Sequence, residues 1–286
     1  MIAKMVVDII CPLYNAEKYV EKLHKSLEMQ ENVKIGNIRY VVTKGKDKTE
    51  EKVKKLNCIY KAIQAKDFSH SLTREKEAFE SKADIVVFVT QDVIIEKKDW
   101  LEKLIKPIEN SEAEACYSRQ ICTNNSMEKY TREKNYPENS KIVSKDDIEK
   151  LGLRAFFFSD ASSAIKRETF VKLNGYDNKN LSISEDMYIA YKLITNGYKI
   201  KYCADSEIIH SHNFTLKQQY DRYYETGKFF KENSYLNKYK VNSAGGDLAF
   251  YILKRAIKDK NGKVIIKWLP NMMARFIGMK IGQIER

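Results

Sequence analysis

With 286 residues, 43% apolar side chains and four prolines, the chain can bury a full α/β core and is excluded from the disordered class. Lysine and arginine number 51 against 39 acids, and the formal charge of +12 favours a polyanionic partner such as nucleic acid, anionic lipid or a nucleoside diphosphate. The absence of a zinc-finger or aromatic RNA-binding motif argues against nucleic acid, and the absence of a signal-peptide pattern or unbroken apolar span, with five scattered cysteines, suits a cytoplasmic protein with reduced thiols.

The first half alternates strand and helix patterns. Met5–Cys11 reads as a strand, Ala16–Met29 as a helix, Ile38–Thr43 as a strand and Lys48–Lys55 as a helix. A helix over Glu75–Ser81, a strand over Asp84–Thr90 and a helix over Trp100–Ile108 follow. This order predicts a mostly parallel, Rossmann-like sheet flanked by crossover helices. Thr123–Lys150 is polar and reads as a mobile loop with a short helix, and organised sequence resumes with an apolar strand around Ala155–Phe158. Residues 185–196 form a patterned helix closed by Gly197, and a strand over Lys199–Cys203 follows. From Leu216 onward the pattern is helical and basic.

Several polar residues fall where such a sheet binds ligands. Asp92 ends the Asp84–Thr90 strand pattern, a position suited to holding a divalent cation against a phosphate, or equally to a turn or helix cap. Pro12 and Tyr14 close the first strand, where a rigid ring and an aromatic plane could bracket a nucleobase. Glu185 and Asp186 are adjacent carboxylates at a helix start, where the helix dipole favours them with or without catalysis. His210 and His212 follow a strand, and either offers an imidazole to the same cation or a structural hydrogen bond.

Taken in order, Pro12-Leu13-Tyr14-Asn15, the strand-end Asp92, Glu185-Asp186 and the histidines resemble the family-2 inverting glycosyltransferases of GT-A fold, over roughly residues 5–230. Within that family, Phe68–Arg74, Thr90–Asp92, Phe156–Ala164 and His210–Gln218 are similar to rhamnosyltransferases of bacterial surface polysaccharide assembly. The resemblance implies a GT-A catalytic domain over 1–215, with a nucleotide-sugar half to about 95 and an acceptor half after it, and a helical, basic extension over 216–286. It implies Asp186 as the catalytic base and Asp92 with His212, or alternatively His210, as ligands of Mg²⁺ or Mn²⁺. Pro12, Tyr14, Asn15, Thr43, Asp47, Arg74, Gln91 and Lys217 fall at donor-binding positions, and Asp160, Ser162 and Glu185 at acceptor or sugar positions. The chain departs from the family where Thr43-Lys44-Gly45-Lys46-Asp47 replaces an Asp at the end of the second strand, and where Thr90-Gln91-Asp92 keeps one acid of an Asp-x-Asp motif.

The implied donor is dTDP-L-rhamnose and the acceptor a glycan, lipid-linked or polysaccharide. The same fold with a UDP-hexose or UDP-hexosamine donor, or a non-catalytic glycan-binding module, are the competing readings. The apolar and cationic tail Val264–Ile277 suits peripheral contact with an anionic membrane at its inner face, Trp268 lying at the interface, or packing against the catalytic domain or a dimer partner.

Overall fold

The computed structural model describes residues 4–239 and 244–285. The chain opens with β1 (Val6–Tyr14), whose Val7, Ile9, Cys11 and Leu13 face one core layer while Ile10 faces the other. It continues through α1 (Val20–Glu28), β2 (Lys34–Thr43), α2 (Thr49–Val53), β3 (Ile59–Ile63), α3 (His70–Glu80), β4 (Ile85–Val89) and α4 (Trp100–Glu109). Next come β5 (Ala115–Ile121), α5 (Met127–Asn135), β6 (Lys141–Val143), α6 (Ile148–Leu151), β7 (Ser162–Lys166), α7 (Arg167–Lys172), α8 (Glu185–Thr195) and β8 (Ile200–Ile209). Three helices close the chain: α9 (Leu216–Glu232), α10 (Ala244–Lys258) and α11 (Gly262–Ile284).

The eight strands make one sheet in the order β3-β2-β1-β4-β7-β5-β8-β6. Pairs β1–β2, β1–β4, β2–β3 and β5–β8 are parallel, whereas β7 runs antiparallel between β4 and β5, and β6 antiparallel on the β8 edge. All five residues of β4 are buried, as a continuous Val-rich run must be when helices cover both faces. One face packs α1 and α4 through Leu23, Leu27, Trp100 and Leu104; the other packs α7 and α8 through Phe170, Ile189 and Leu193. Each such side chain, fully buried, contributes about 1.5–3 kcal/mol.

The expected mostly parallel sheet is present, with corrections in detail. The helix expected from Glu75 begins at His70, because Ser69 accepts a hydrogen bond from the Leu72 N–H and caps it. The apolar strand expected around Ala155–Phe158 is a 3-10 turn over Gly152–Phe156, and the strand lies instead at β7. The stretch expected as a mobile loop holds α5, β6 and α6; α5 is capped by Ser126 and buries Met127 and Tyr130 against Ile252, Ala256 and Val264. The strand expected over Lys199–Cys203 runs on to Ile209.

Glycines join α11 to α9 within the extension, and Arg275 joins it to the frame. A Cβ on Gly282 would meet the Tyr224 carbonyl oxygen at 2.0 Å, so only glycine lets α11 approach α9 so closely. Arg275 turns inward, where it is buried against Glu128 of α5 at 3.3 Å and donates to Asn271 at 2.8 Å. Trp268 is half-buried and donates to the Ala249 carbonyl at 2.8 Å. Both contacts take residues of the tail pattern off the surface, in line with its packing alternative.

Candidate active site

A short bridge assembles the polar cluster at the strand ends. Beyond β4, Ile94 exchanges backbone hydrogen bonds of 2.8 and 2.9 Å with Ile209 at the end of β8, and His210 N–H donates to the Ile121 carbonyl of β5 at 2.8 Å. Asp92 is thereby brought against the residues that follow β8. His210 Nε2 lies 3.5 Å from Asp92 Oδ1, His212 Nε2 lies 3.7 Å from Asp92 Oδ2, and the two Nε2 atoms are 2.7 Å apart. Ligand atoms of the three residues all fall within 4.8 Å of one another. Sequence offered the two histidines as alternatives; the fold brings both to the same carboxylate.

Hydrogen bonding fixes the orientation of His210. Gln120 donates its amide to Ser159 Oγ at 2.7 Å, which leaves Gln120 Oε1 to accept from His210 Nδ1 at 2.9 Å. His210 Nε2 consequently turns its lone pair toward Asp92 and His212. Burial pushes His210 below the usual imidazole value, and burial together with the His210 charge brings His212 down to about 4. Burial tends to raise the Asp92 carboxyl, but the hydrogen bond from His210 and the charges of both imidazoles once protonated outweigh that and hold it at about 2. At neutral pH the cluster is one carboxylate and two neutral imidazoles, a donor set that fits a divalent cation.

Two arginines stand beside this cluster, and neither is apparent in the sequence patterns. The charges of Arg132 on α5 and Arg222 on α9 both act on His210 and His212. Arg132 Nε is buried without a hydrogen-bond partner, and its guanidinium lies 5.7 Å from the Tyr136 ring centroid. Arg222 sits 4.9 Å from the Phe214 ring centroid, and that ring stacks on His212 at 4.8 Å. No ion pair with a carboxylate holds either guanidinium among the described residues, so both cations are available to an anion. The Ser126 cap is the sequence signal for the helix that presents the first of them.

The carboxylate cluster lies around the start of α8. Asp186 is half-buried, and burial, then the negative charges of Glu185 and Asp160, push its carboxyl well above the usual range. Glu185 pairs with the buried Arg74 at 3.1 Å. Asp160 is buried and accepts from Ser163 Oγ and Tyr176 OH, each at 2.7 Å. Tyr136 connects the two clusters, since the charges of both Arg132 and Asp186 act on its phenol.

The remaining expected site residues divide into two groups. At the end of β1, Tyr14 is 53% exposed, and its backbone N–H and carbonyl are clamped by the Gln91 amide at 2.7 and 2.9 Å. Pro12 is half-buried beside it, and Asn15 turns its Oδ1 to the Lys46 N–H at 3.3 Å. Other residues are committed elsewhere, contrary to expectation. Ser162 is fully buried and bonded to Ser118 and Trp100, so it touches core rather than sugar. Thr43 is buried in β2, and Asp47 spends its carboxylate on Glu17 N–H and Thr49. Arg74 is held inside by Glu185 rather than presented to a diphosphate, and Lys217 is exposed and pairs with Asp221 at 2.7 Å. A cleft of about 540 Å³ adjoins the cluster through Gln120 and Arg132, and Tyr251 and Arg255 of α10 form its far wall.

Comparison with known proteins agrees with this geometry. Residues 8–173 match the profile described as glycosyl transferase family 2. The O-antigen chain rhamnosyltransferase WbaN of Salmonella anatum is 34% identical over 230 residues, covering 77% of this chain and 71% of that protein. RfbN of Salmonella typhimurium, also named an O-antigen chain rhamnosyltransferase, is 30% identical over 289 residues, covering 98% of this chain and 90% of that one. Among solved structures, the mannosyltransferase PcManGT from Pyrobaculum calidifontis, in complex with GDP-Man and Mn²⁺, superposes with a TM-score of 0.67 at 13% identity, over 99% of this chain and 88% of that one. S. aureus TarS with UDP-GlcNAc gives a TM-score of 0.56 at 16% identity, over 99% and 93%. The sheet order and these likenesses establish a GT-A fold with a helical extension, and the chain belongs to glycosyl transferase family 2.

Proposed function

We propose that this glycosyltransferase moves L-rhamnose from dTDP-L-rhamnose, with inversion, onto a lipid-linked or polysaccharide acceptor in cell-surface glycan synthesis. The donor sugar is supported by two relatives named rhamnosyltransferases at 34% and 30% identity. The reaction type is supported by one observation above others: a cation-ready set, Asp92–His210–His212, accompanies a carboxylate driven upward, Asp186.

In this reading Asp186 takes the proton of the attacking acceptor hydroxyl, its raised basicity bringing it closer to the working pH than an ordinary aspartate. The acceptor oxygen bonds to the anomeric carbon as the bond to the nucleoside diphosphate breaks. Arg132 and Arg222 stabilise the charge that develops on the departing diphosphate. Asp92, His210 and His212 would hold a divalent cation, which supplies Lewis-acid neutralisation of the same charge. Two imidazole nitrogens favour Mn²⁺ over Mg²⁺, which prefers an all-oxygen shell. Residues up to about 95 serve the donor, with Tyr14 as the base platform, and the Gln120–Arg132 cleft receives the acceptor. The reading places the reaction in the cytoplasm, at the inner face of the membrane.

A thermal-shift panel tests the donor. With Mn²⁺ present, dTDP-rhamnose should raise the melting temperature more than UDP-glucose, UDP-GlcNAc or GDP-mannose at equal concentration. A larger shift with a UDP-sugar would replace the rhamnosyl reading with the UDP-hexose or UDP-hexosamine one.

A further inference from the structure

Along α11 the outward residues repeat at helical spacing. Ile266 is 80% exposed, Leu269 57%, Met273 52%, Phe276 64% and Ile284 74%. These positions recur every three or four residues, except for the last step, which Lys280 fills. The inward positions Val264, Asn271, Arg275, Gly278 and Gly282 are buried, so the helix is already satisfied on its inner side. Isolated exposed apolar residues need no explanation, but a stripe of this length on one helix does.

Charge identifies what the stripe fits. Lys263, Lys267 and Lys280 are exposed on the same helix, and Gly262–Ile284 contains no acidic residue. A second copy of this helix would bring like charges together. An anionic bilayer surface matches both features, since it accepts apolar side chains at the headgroup boundary and attracts the lysines around them. No helix among the described residues is long and apolar enough to cross a membrane, so the helix would lie in the interface.

We infer that the outward face of α11 is a docking surface for an anionic lipid bilayer, entered by Ile266, Leu269, Met273 and Phe276 and steered by Lys263, Lys267 and Lys280. The surface is coupled to the site by contact: Arg275 of α11 holds Glu128 on α5, and Ser126, which caps α5, donates to the His212 carbonyl at 3.0 Å. The inference does not depend on which sugar nucleotide is the donor.

The test is co-sedimentation of the full chain with vesicles of neutral phosphatidylcholine and of phosphatidylcholine mixed with anionic phosphatidylglycerol, whose negative surface potential attracts basic segments. Binding should favour the anionic vesicles and weaken with salt. Replacing Lys263, Lys267 and Lys280 together by Gln should lower vesicle affinity about 100-fold, at about fivefold per lysine. Ile266→Ser with Phe276→Ser should abolish binding while leaving the thermal shift with Mn²⁺ intact, because both side chains point to solvent. Equal binding to neutral and anionic vesicles, or unchanged binding by either variant, overturns the inference. So does a wild-type dimer in gel filtration that the Ile266/Phe276 variant converts to monomer, which would assign the face to a second copy.

Discussion

Asp186 owes its basicity to its own burial and to two neighbours, Glu185 and Asp160, and each neighbour can be changed separately. Asp186→Asn keeps the shape of the side chain and removes the base, so turnover should fall about 10²–10⁴-fold while donor affinity stays near that of the parent. Donor affinity falling in step with turnover would mean that Asp186 holds donor instead. Glu185→Gln leaves Asp186 in place but deletes an adjacent negative charge and releases Arg74 from its 3.1 Å ion pair. Both changes favour the ionised form of Asp186, lowering its pKa. The acid limb of kcat/KM, expected above the ordinary carboxylate value of 3.8, should therefore move to lower pH in Glu185→Gln, with a smaller loss of rate than in Asp186→Asn. A limb that moves to higher pH would contradict this electrostatic account.

At the scale of elements, the α9–α11 contact is the most sensitive joint in the extension. A methyl group at Gly282 meets backbone, the Tyr224 carbonyl at 2.0 Å, and backbone cannot swing aside as a side chain can. Gly282→Ala should cost about 1–3 kcal/mol in urea unfolding, through forced separation of the helices. Gly246 of α10 has open space around it, and Gly246→Ala should be neutral or stabilise by up to about 1 kcal/mol through helix propensity. Equal effects of the two substitutions would show that the close approach contributes nothing. The same joint explains why Arg275 lies inside: Glu128, Asn271 and the Tyr223 hydroxyl surround its guanidinium, at 3.3, 2.8 and 3.3 Å.

For the whole molecule, cation binding at the junction of three strand ends should stabilise the folded state, because Asp92, His210 and His212 converge only when β4, β5 and β8 are assembled. Mn²⁺ at about 100 times its dissociation constant should add about 2.7 kcal/mol to unfolding, visible as a higher melting temperature that a chelator reverses. Asp92→Asn should lose most of that gain and most metal-dependent donor binding while keeping its metal-free melting temperature near that of the parent. An unchanged response to Mn²⁺ in the variant would place the cation elsewhere.

The sequence by itself determined the strand–helix alternation of the first half, because continuous Val- and Ile-rich runs and amphipathic helices of period 3.6 are local signals. It also marked Asp92, the two histidines and Glu185-Asp186, since these belong to short motifs. It concealed β3, β5 and β7, whose short polar-flanked strands carry weak periodicity; Ser118, Ser162 and Ser163 are buried there only because Trp100, Ser206 and Asp160 satisfy their hydroxyls. Arg132 and Arg222 carry no local signal of a site, and Arg74 falls at a donor-binding position. Tertiary structure decided their places: the Ile94–Ile209 bridge joins residues more than a hundred positions apart, α5 folds against the C-terminal helices, and Glu185 closes over Arg74. Such pairings arise from sheet order and helix packing, which depend on contacts distant in sequence, and no local pattern of residues encodes them.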